Sequence, residues 1–187
     1  MIKQVEGFDK YLSLSGFKNM KVSDVDVLVK QIRKRLPQFD VQFFDAALIA
    51  GPQHLYFAVL NALKAFKNNT NISKSLAVES LLYASAQRQI SDAVNLIGIK
   101  TDTTRIAVAG ITDTLSDAKD TVDEASHFIN GDRDDSVIDF SDTKVMGVRS
   151  LFQISDIELA SKTRNNMDKE IILDRVIEHM AILVTKR

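Results

Sequence analysis

The sequence predicts a single α+β domain, rich in helix, in which a small and mostly antiparallel sheet packs against several helices. Three observations point there. Helical apolar spacing recurs along the chain, strand-like apolar runs are few, and the helices bunch in the middle instead of alternating one for one with strands. The chain has 187 residues, 45% of them hydrophobic and 26% charged. That suits one substantial core and excludes disordered, collagen-like and low-complexity classes. No linker rich in Pro, Gly or Ser and no internal repeat divides it, so residues 1–187 are read as one domain.

In order, Ile2 to Phe8 alternates weakly and reads as a short strand. Ser23 and Asp26 resemble a helix start, Val25, Leu28, Val29 and Ile32 share one helical face, and Pro37 stops the helix. Val41 to Ala50 is nearly all apolar and reads as a buried strand ended by Gly51-Pro52. Leu55, Ala58, Val59, Ala62, Leu63 and Phe66 form the stripe of a second helix, which runs out in the polar residues from Asn68 to Asn71. Ser73 is placed to cap a helix from Lys74 to about Ser85, apolar on most sides except at Glu79. A further helix carries Ile90, Ala93, Val94 and Ile97, with Gly98 at the position for a left-handed end.

Thr104 to Ile111 reads as a second buried strand, and Asp113 to Ile129 as an amphipathic helix closed by Gly131. Val137 to Phe140 has the pattern of a short strand with acidic flanks. Ser155-Asp156-Ile157-Glu158 is a capping box for a short helix, and a last helix runs from about Asp168 to Met180, with Ile172, Val176 and Met180 on its stripe.

Composition limits the chemistry. No cysteine means no disulfide framework, no thiolate metal site and no cysteine nucleophile. There is no signal-peptide pattern and no apolar run long enough for a bilayer, so the expectation is a soluble protein of the cytoplasm, or also of the nucleus in a eukaryote, without membrane contact. A formal net charge of −1 argues against broad phosphate neutralisation and restricts any nucleic-acid contact to a local patch. Basic residues do cluster, at Lys30, Arg33, Lys34 and Arg35 and again at Lys64, Lys67, Lys74 and Arg88. The early cluster reads either as a solvated face or as a contact to the body of a nucleic acid.

The Walker, dinucleotide-binding and nucleophile-elbow glycine motifs are absent. His54, His127 and His179 lack the spacing of a zinc-binding face, and no metal or cofactor is expected. The run from Asp132 to Ser136 fails as a calcium loop, because the sixth and twelfth positions are Val137 and Thr143 rather than Gly and Glu. Glu79, set among apolar residues, must lie at an edge or be paired. Arg88 is either its ion-pair partner or a phosphate contact.

From His54 the strings HLYFAVLNALKAF and ISKSLAVESLLYASAQRQISDAVNLIGIK carry a more specific pattern: a His-Leu helix start, Ser75 with Glu79, the Ser85 to Ile90 junction, and Ile97-Gly98. With Phe44-Asp45-Ala46, Asp134 to Val137 and the ending Asp174 to Leu183, this resembles the small kinase-binding regulatory subunit of the KEOPS (EKC) complex of archaea and eukaryotes. The resemblance covers most of the chain from about Val41; the first forty residues match less well. Where the family has glycine at the helix junction this chain has Ala86, so a gentler or displaced break is expected.

The resemblance implies a non-catalytic subunit. It would dock on the complex's small atypical kinase, an ATPase, stimulate it, and help recruit tRNA by the single-stranded 3′ CCA end for threonylcarbamoyladenosine formation, with the threonylcarbamoyl-transferase subunit an indirect partner. Lys74, Tyr83, Arg88 and Gln89, with Lys64 as an outer phosphate contact, are the candidates for the tRNA end. Ile90, Val94, Ile97, Met180 and Ile182 are the candidates for the kinase face. Two rival readings are a structural kinase adaptor without tRNA contact and a small enzyme built on His54, Glu79 and Asp45.

Overall fold

The computed structural model describes residues 1–156, 158 and 168–183. Strands β1 (Ile2–Gln4), β2 (Tyr11–Lys18), β3 (Asp40–Asp45), β4 (Ile106–Thr112) and β5 (Asp132–Arg133) form one sheet in the order β1-β2-β4-β3. Every pairing is antiparallel. The outer edge of β2 is covered twice, by β1 along Tyr11 to Ser13 and by β5 at Phe17 and Lys18.

Around the sheet lie helices α1 (Val25–Arg35), α2 (Pro52–Lys67), α3 (Leu76–Ser85), α4 (Ile90–Ile97), α5 (Leu115–Phe128), α6 (Asp142–Leu151) and α7 (Asp168–Ile182). This is the expected α+β class with an antiparallel sheet.

Strand periodicity divides the core between the two faces. Leu12, Leu14, Phe44, Ala107, Ala109 and Ile111 point into a large cluster shared with α2, α3, α6 and α7. Phe17, Val41, Phe43, Ile106 and Val108 point into a second cluster with Ile32 of α1 and Ala125 of α5.

Several expected elements differ. The central strand β2 was absent from the expected set, and the strand expected from Ile2 to Phe8 ends at Gln4, because Gly7 at φ +77 turns the chain back into β2. The run from Val41 to Ala50 is a strand only to Asp45. There the Asp45 carboxylate accepts the Ala47 amide at 2.9 Å and folds Ala46–Leu48 into a 3-10 turn. Val137 to Phe140 is not a strand: Asp134 caps a 3-10 turn over Asp135–Ile138, and the short strand is β5 just before it.

Helix starts shift to the better-placed cap. Asp24, not Ser23, accepts the Val27 amide, and Ser75, not Ser73, accepts that of Val78, so α3 begins at Leu76 rather than Lys74. Gly98 is not left-handed (φ −69); its lack of a side chain serves close packing, since a Cβ there would lie 2.5 Å from the Val94 carbonyl oxygen. The Ser155–Glu158 capping box forms, with the Glu158 carboxylate accepting the Ser155 amide at 2.7 Å; the rest of that expected helix lies outside the described residues.

Candidate functional site

The site is the junction of α3 and α4, and its geometry starts at α2. Gly51 at φ +94 precedes Pro52, the first residue of α2, and this turn aims the His54 ring inward. His54 is wholly buried. Its Nδ1 accepts the Ala50 amide at 3.1 Å and its Nε2 faces the Ala84 carbonyl at 2.8 Å. An amide can only donate and a carbonyl only accept, so the ring is neutral with its proton on Nε2. Burial is the main cause holding its pKa down to about 4; the Ala84 hydrogen bond opposes the shift and the charge of Lys144 adds to it. The start of α2 is thereby bonded to the end of α3.

At that end, Ala86 adopts a left-handed conformation (φ 52, ψ 33) and its amide bonds the Tyr83 carbonyl, while the Gln87 amide reaches back to Leu82 at 3.0 Å. The expected gentler break does not occur. Ala86 takes the glycine position of the helix end, and its backbone is held there by these two hydrogen bonds. The chain then turns into α4 through Gln89, which is extended and makes no side-chain cap.

Glu79 lies at the opposite end of α3, buried, and its Oε2 accepts the amides of Ile72 at 3.0 Å and Ser73 at 2.7 Å. The carboxylate thus holds the turn before α3 and needs no ion pair with Arg88.

The five residues expected at a tRNA end do not converge. Arg88 and Gln89 are exposed at the junction, whereas Lys64 and Lys74, also exposed, belong to the far ends of α2 and α3, about 15 Å away along a ten-residue helix. Tyr83 is 4% exposed and its ring is core, which withdraws it as a stacking surface. Burial raises its hydroxyl pKa, with Glu79 adding to the shift and Arg88 opposing it.

The residues expected at the kinase face also divide. Ile97 and Met180 are fully buried, because each lies on the inward stripe of its helix and fills the large cluster. Ile90, Val94 and Ile182 remain on the surface at 45%, 44% and 46% exposure.

Ile90 and Val94 line a groove between α4 and α1, whose other wall carries Val25, Val29 and Arg33 and whose floor is Val41, Phe43 and Leu81. Arg33 comes from the early basic cluster, so the groove joins apolar surface to a cation across a long stretch of chain. Arg35 in the same cluster pairs with Glu124 at 3.1 Å.

A family model described as kinase binding protein CGI-121 matches residues 17–183. The chain belongs to this family. The match begins inside the first forty residues, the part that resembled the family least on sequence. The chain is 28% identical over 146 residues to the regulatory protein Cgi121 of Methanocaldococcus jannaschii, covering 78% of this chain and 84% of that one. It is 34% identical over 68 residues to the KEOPS complex subunit Cgi121 of Pyrococcus abyssi, covering 36% of this chain and 40% of that one.

For this CGI-121 family member the rival enzyme site does not assemble. His54 meets the end of α3, Glu79 holds its beginning, and Asp45 caps a turn; burial is the first cause raising the Asp45 pKa. Among the described residues no group of three or more His, Cys, Asp or Glu is placed to hold a metal ion, and no helix is long and apolar enough to cross a membrane. Sequence reasoning missed two features. The groove that α1 and α4 line together has no local signal, and Lys144, a buried lysine, lies on α6, a helix absent from the expected elements.

Proposed function

We propose that this chain is a non-catalytic KEOPS subunit that binds and stimulates the small atypical kinase of the complex and helps present the 3′ CCA end of tRNA for threonylcarbamoyladenosine formation. Membership of a kinase-binding family, with a relative named as a KEOPS subunit, supports the kinase half of the reading.

One observation carries the tRNA half: the groove where exposed Ile90 and Val94 lie beside Arg33 and directly follow Arg88 and Gln89. An unpaired base needs an apolar face to rest on, and its phosphates need one or two cations. That combination reassigns Ile90 and Val94 from the kinase to the tRNA end. It leaves the exposed end of α7, around Ile182, for the kinase. Lys64 and Lys74, at the far ends of α2 and α3, would touch tRNA only beyond its terminus.

The test is tRNA binding with and without the terminal CCA. Intact tRNA binds more tightly than trimmed tRNA, and Arg88→Glu lowers affinity for the intact form about tenfold at fixed salt, as loss of a phosphate contact does. Equal binding of intact and trimmed tRNA would favour the adaptor reading without tRNA contact.

A further inference from the structure

The chain contains a second, strongly cationic recess far from the α3–α4 junction in the sequence. At the ends of β2 and β4 and the start of α6 lies a cavity of about 670 Å³, a volume in the ordinary range for small-molecule sites. Lys18, Lys21, Arg105 and Lys144 line it, against a single carboxylate, Asp134.

That carboxylate is already engaged. Asp134 takes Lys18 at 2.8 Å and the amide and hydroxyl of Ser136 at 3.1 and 2.6 Å. Among the described residues Lys21, Arg105 and Lys144 have no carboxylate within ion-pair distance. Three positive charges therefore face one recess without a counter-charge in contact.

Lys144 is the unusual member. It is 4% exposed, and its ammonium donates only to backbone, to the Val137 carbonyl at 2.5 Å and to Ile49 at 3.4 Å. A buried ammonium held by carbonyl dipoles alone is costly, and burial lowers its pKa to about 8. Asp139 and Asp45 favour its charged form through space and Arg105 opposes it. Asp45 and Asp102 line a neighbouring hollow that shares Thr104, Arg105 and Lys144 with this cavity, and neither carboxylate lines the cavity itself.

The wall is also rigid. Gly16 in β2 leaves no room for a side chain, since a Cβ would lie 2.5 Å from the Asp134 carbonyl oxygen and 2.6 Å from Val137. Its amide donates to the Asp135 carboxylate at 3.0 Å, and its carbonyl accepts the Asp134 amide at 2.8 Å. The acidic run that fails as a calcium loop thus pins the segment presenting Ser136 and the Val137 carbonyl to the cavity. Ser141, the residue before α6, and Thr104 add hydroxyl groups to the lining.

We propose that this cavity is a binding site for a phosphate group, with Lys144 at its base, Arg105 and Lys21 at its mouth and the hydroxyls of Thr104 and Ser141 as further donors. Convergent ammonium and guanidinium groups with hydroxyls match a tetrahedral dianion, and Arg105 supplies the bidentate fork. The phosphate belongs either to a free phosphorylated small molecule or to a nucleic-acid strand, and the site is independent of the α3–α4 groove.

The test is titration of the full chain with inorganic pyrophosphate, followed by backbone amide NMR shifts. Saturable shifts centred on Thr104, Ser136, Val137 and Lys144, weakened about tenfold (about 1.4 kcal/mol) in Arg105→Gln, support the site. Lys144→Met gives the same loss where it folds; Arg105 is exposed, so its variant decides the matter if Lys144→Met does not fold. Displacement of pyrophosphate by a nucleoside triphosphate but not by single-stranded RNA assigns a small-molecule source, and displacement by the RNA assigns a strand. No saturable shift, shifts centred elsewhere, unchanged affinity in Arg105→Gln, or displacement by neither competitor would overturn the proposal.

Discussion

Acid should loosen the joint between α2 and α3 through His54. The ring is neutral in the fold, with its pKa moved from 6.5 to about 4. The unfolded chain takes up a proton as pH falls through 6.5, whereas the folded chain does not until about pH 4, so stability is full above 6.5 and is lost between those values. At pH 5 the loss is about 2 kcal/mol, and below pH 4 it levels off at about 3 kcal/mol. In urea this moves the midpoint down by about 1 M between pH 7.5 and 5 for a chain of this size.

His54→Gln isolates the effect. Its amide can still donate to Ala84, but the Ala50 amide loses its acceptor, which costs about 1–3 kcal/mol at pH 7.5. The variant then loses about 2 kcal/mol less than the natural protein on going to pH 5, because His127, His179 and the carboxylates are common to both. Parallel stability curves for the two proteins from pH 7.5 to 5 would refute the neutral, doubly bonded ring.

Other consequences follow from single contacts. Ala86→Gly relieves a left-handed alanine at the cost of a half-buried methyl, so stability rises by about 0.5–1 kcal/mol and the melting temperature by about 2 °C; a fall would mean the methyl's packing dominates. Glu79→Ala strands the Ile72 and Ser73 amides and lowers stability by about 2–4 kcal/mol in urea titration, and a loss under 1 kcal/mol would deny the carboxylate its role. Ile182→Asp weakens kinase binding about tenfold by calorimetry with little change in melting temperature, whereas Met180→Asp disrupts the fold; unchanged kinase affinity in the first would move the contact elsewhere.

Legibility from sequence depended on how each element is packed. The stripes of α2 and α5 and the last helix showed the core face because one side of each is wet. Strand β2 carries its signal over four residues only: Leu12 and Leu14 alternate with Ser13 and Ser15, which it turns toward α5, before Gly16 and Phe17 break the phase. On that side Gly110 meets Thr121 and the Ser13 hydroxyl so closely that a Cβ would lie 2.5 Å away. Small residues permit this close approach.

In the candidate site, helical spacing put Ile90, Val94 and Ile97 in one set, yet only Ile97 faces inward. An apolar residue on α4 reads the same whether it fills a core or awaits a partner. Asp24 and Ser75 took caps that nearby residues were equally suited to take, since cap choice is settled by backbone geometry within a residue or two. The left-handed Ala86 is imposed by its surroundings against its own preference, so its identity pointed the wrong way.

The most direct measurement of the functional account is copurification of the full chain with the kinase subunit of the complex, followed by its ATPase rate. A stable complex that survives gel filtration and raises the kinase's ATPase rate is the predicted result. Separate elution of the two proteins at micromolar concentration, with an unchanged rate, would contradict it.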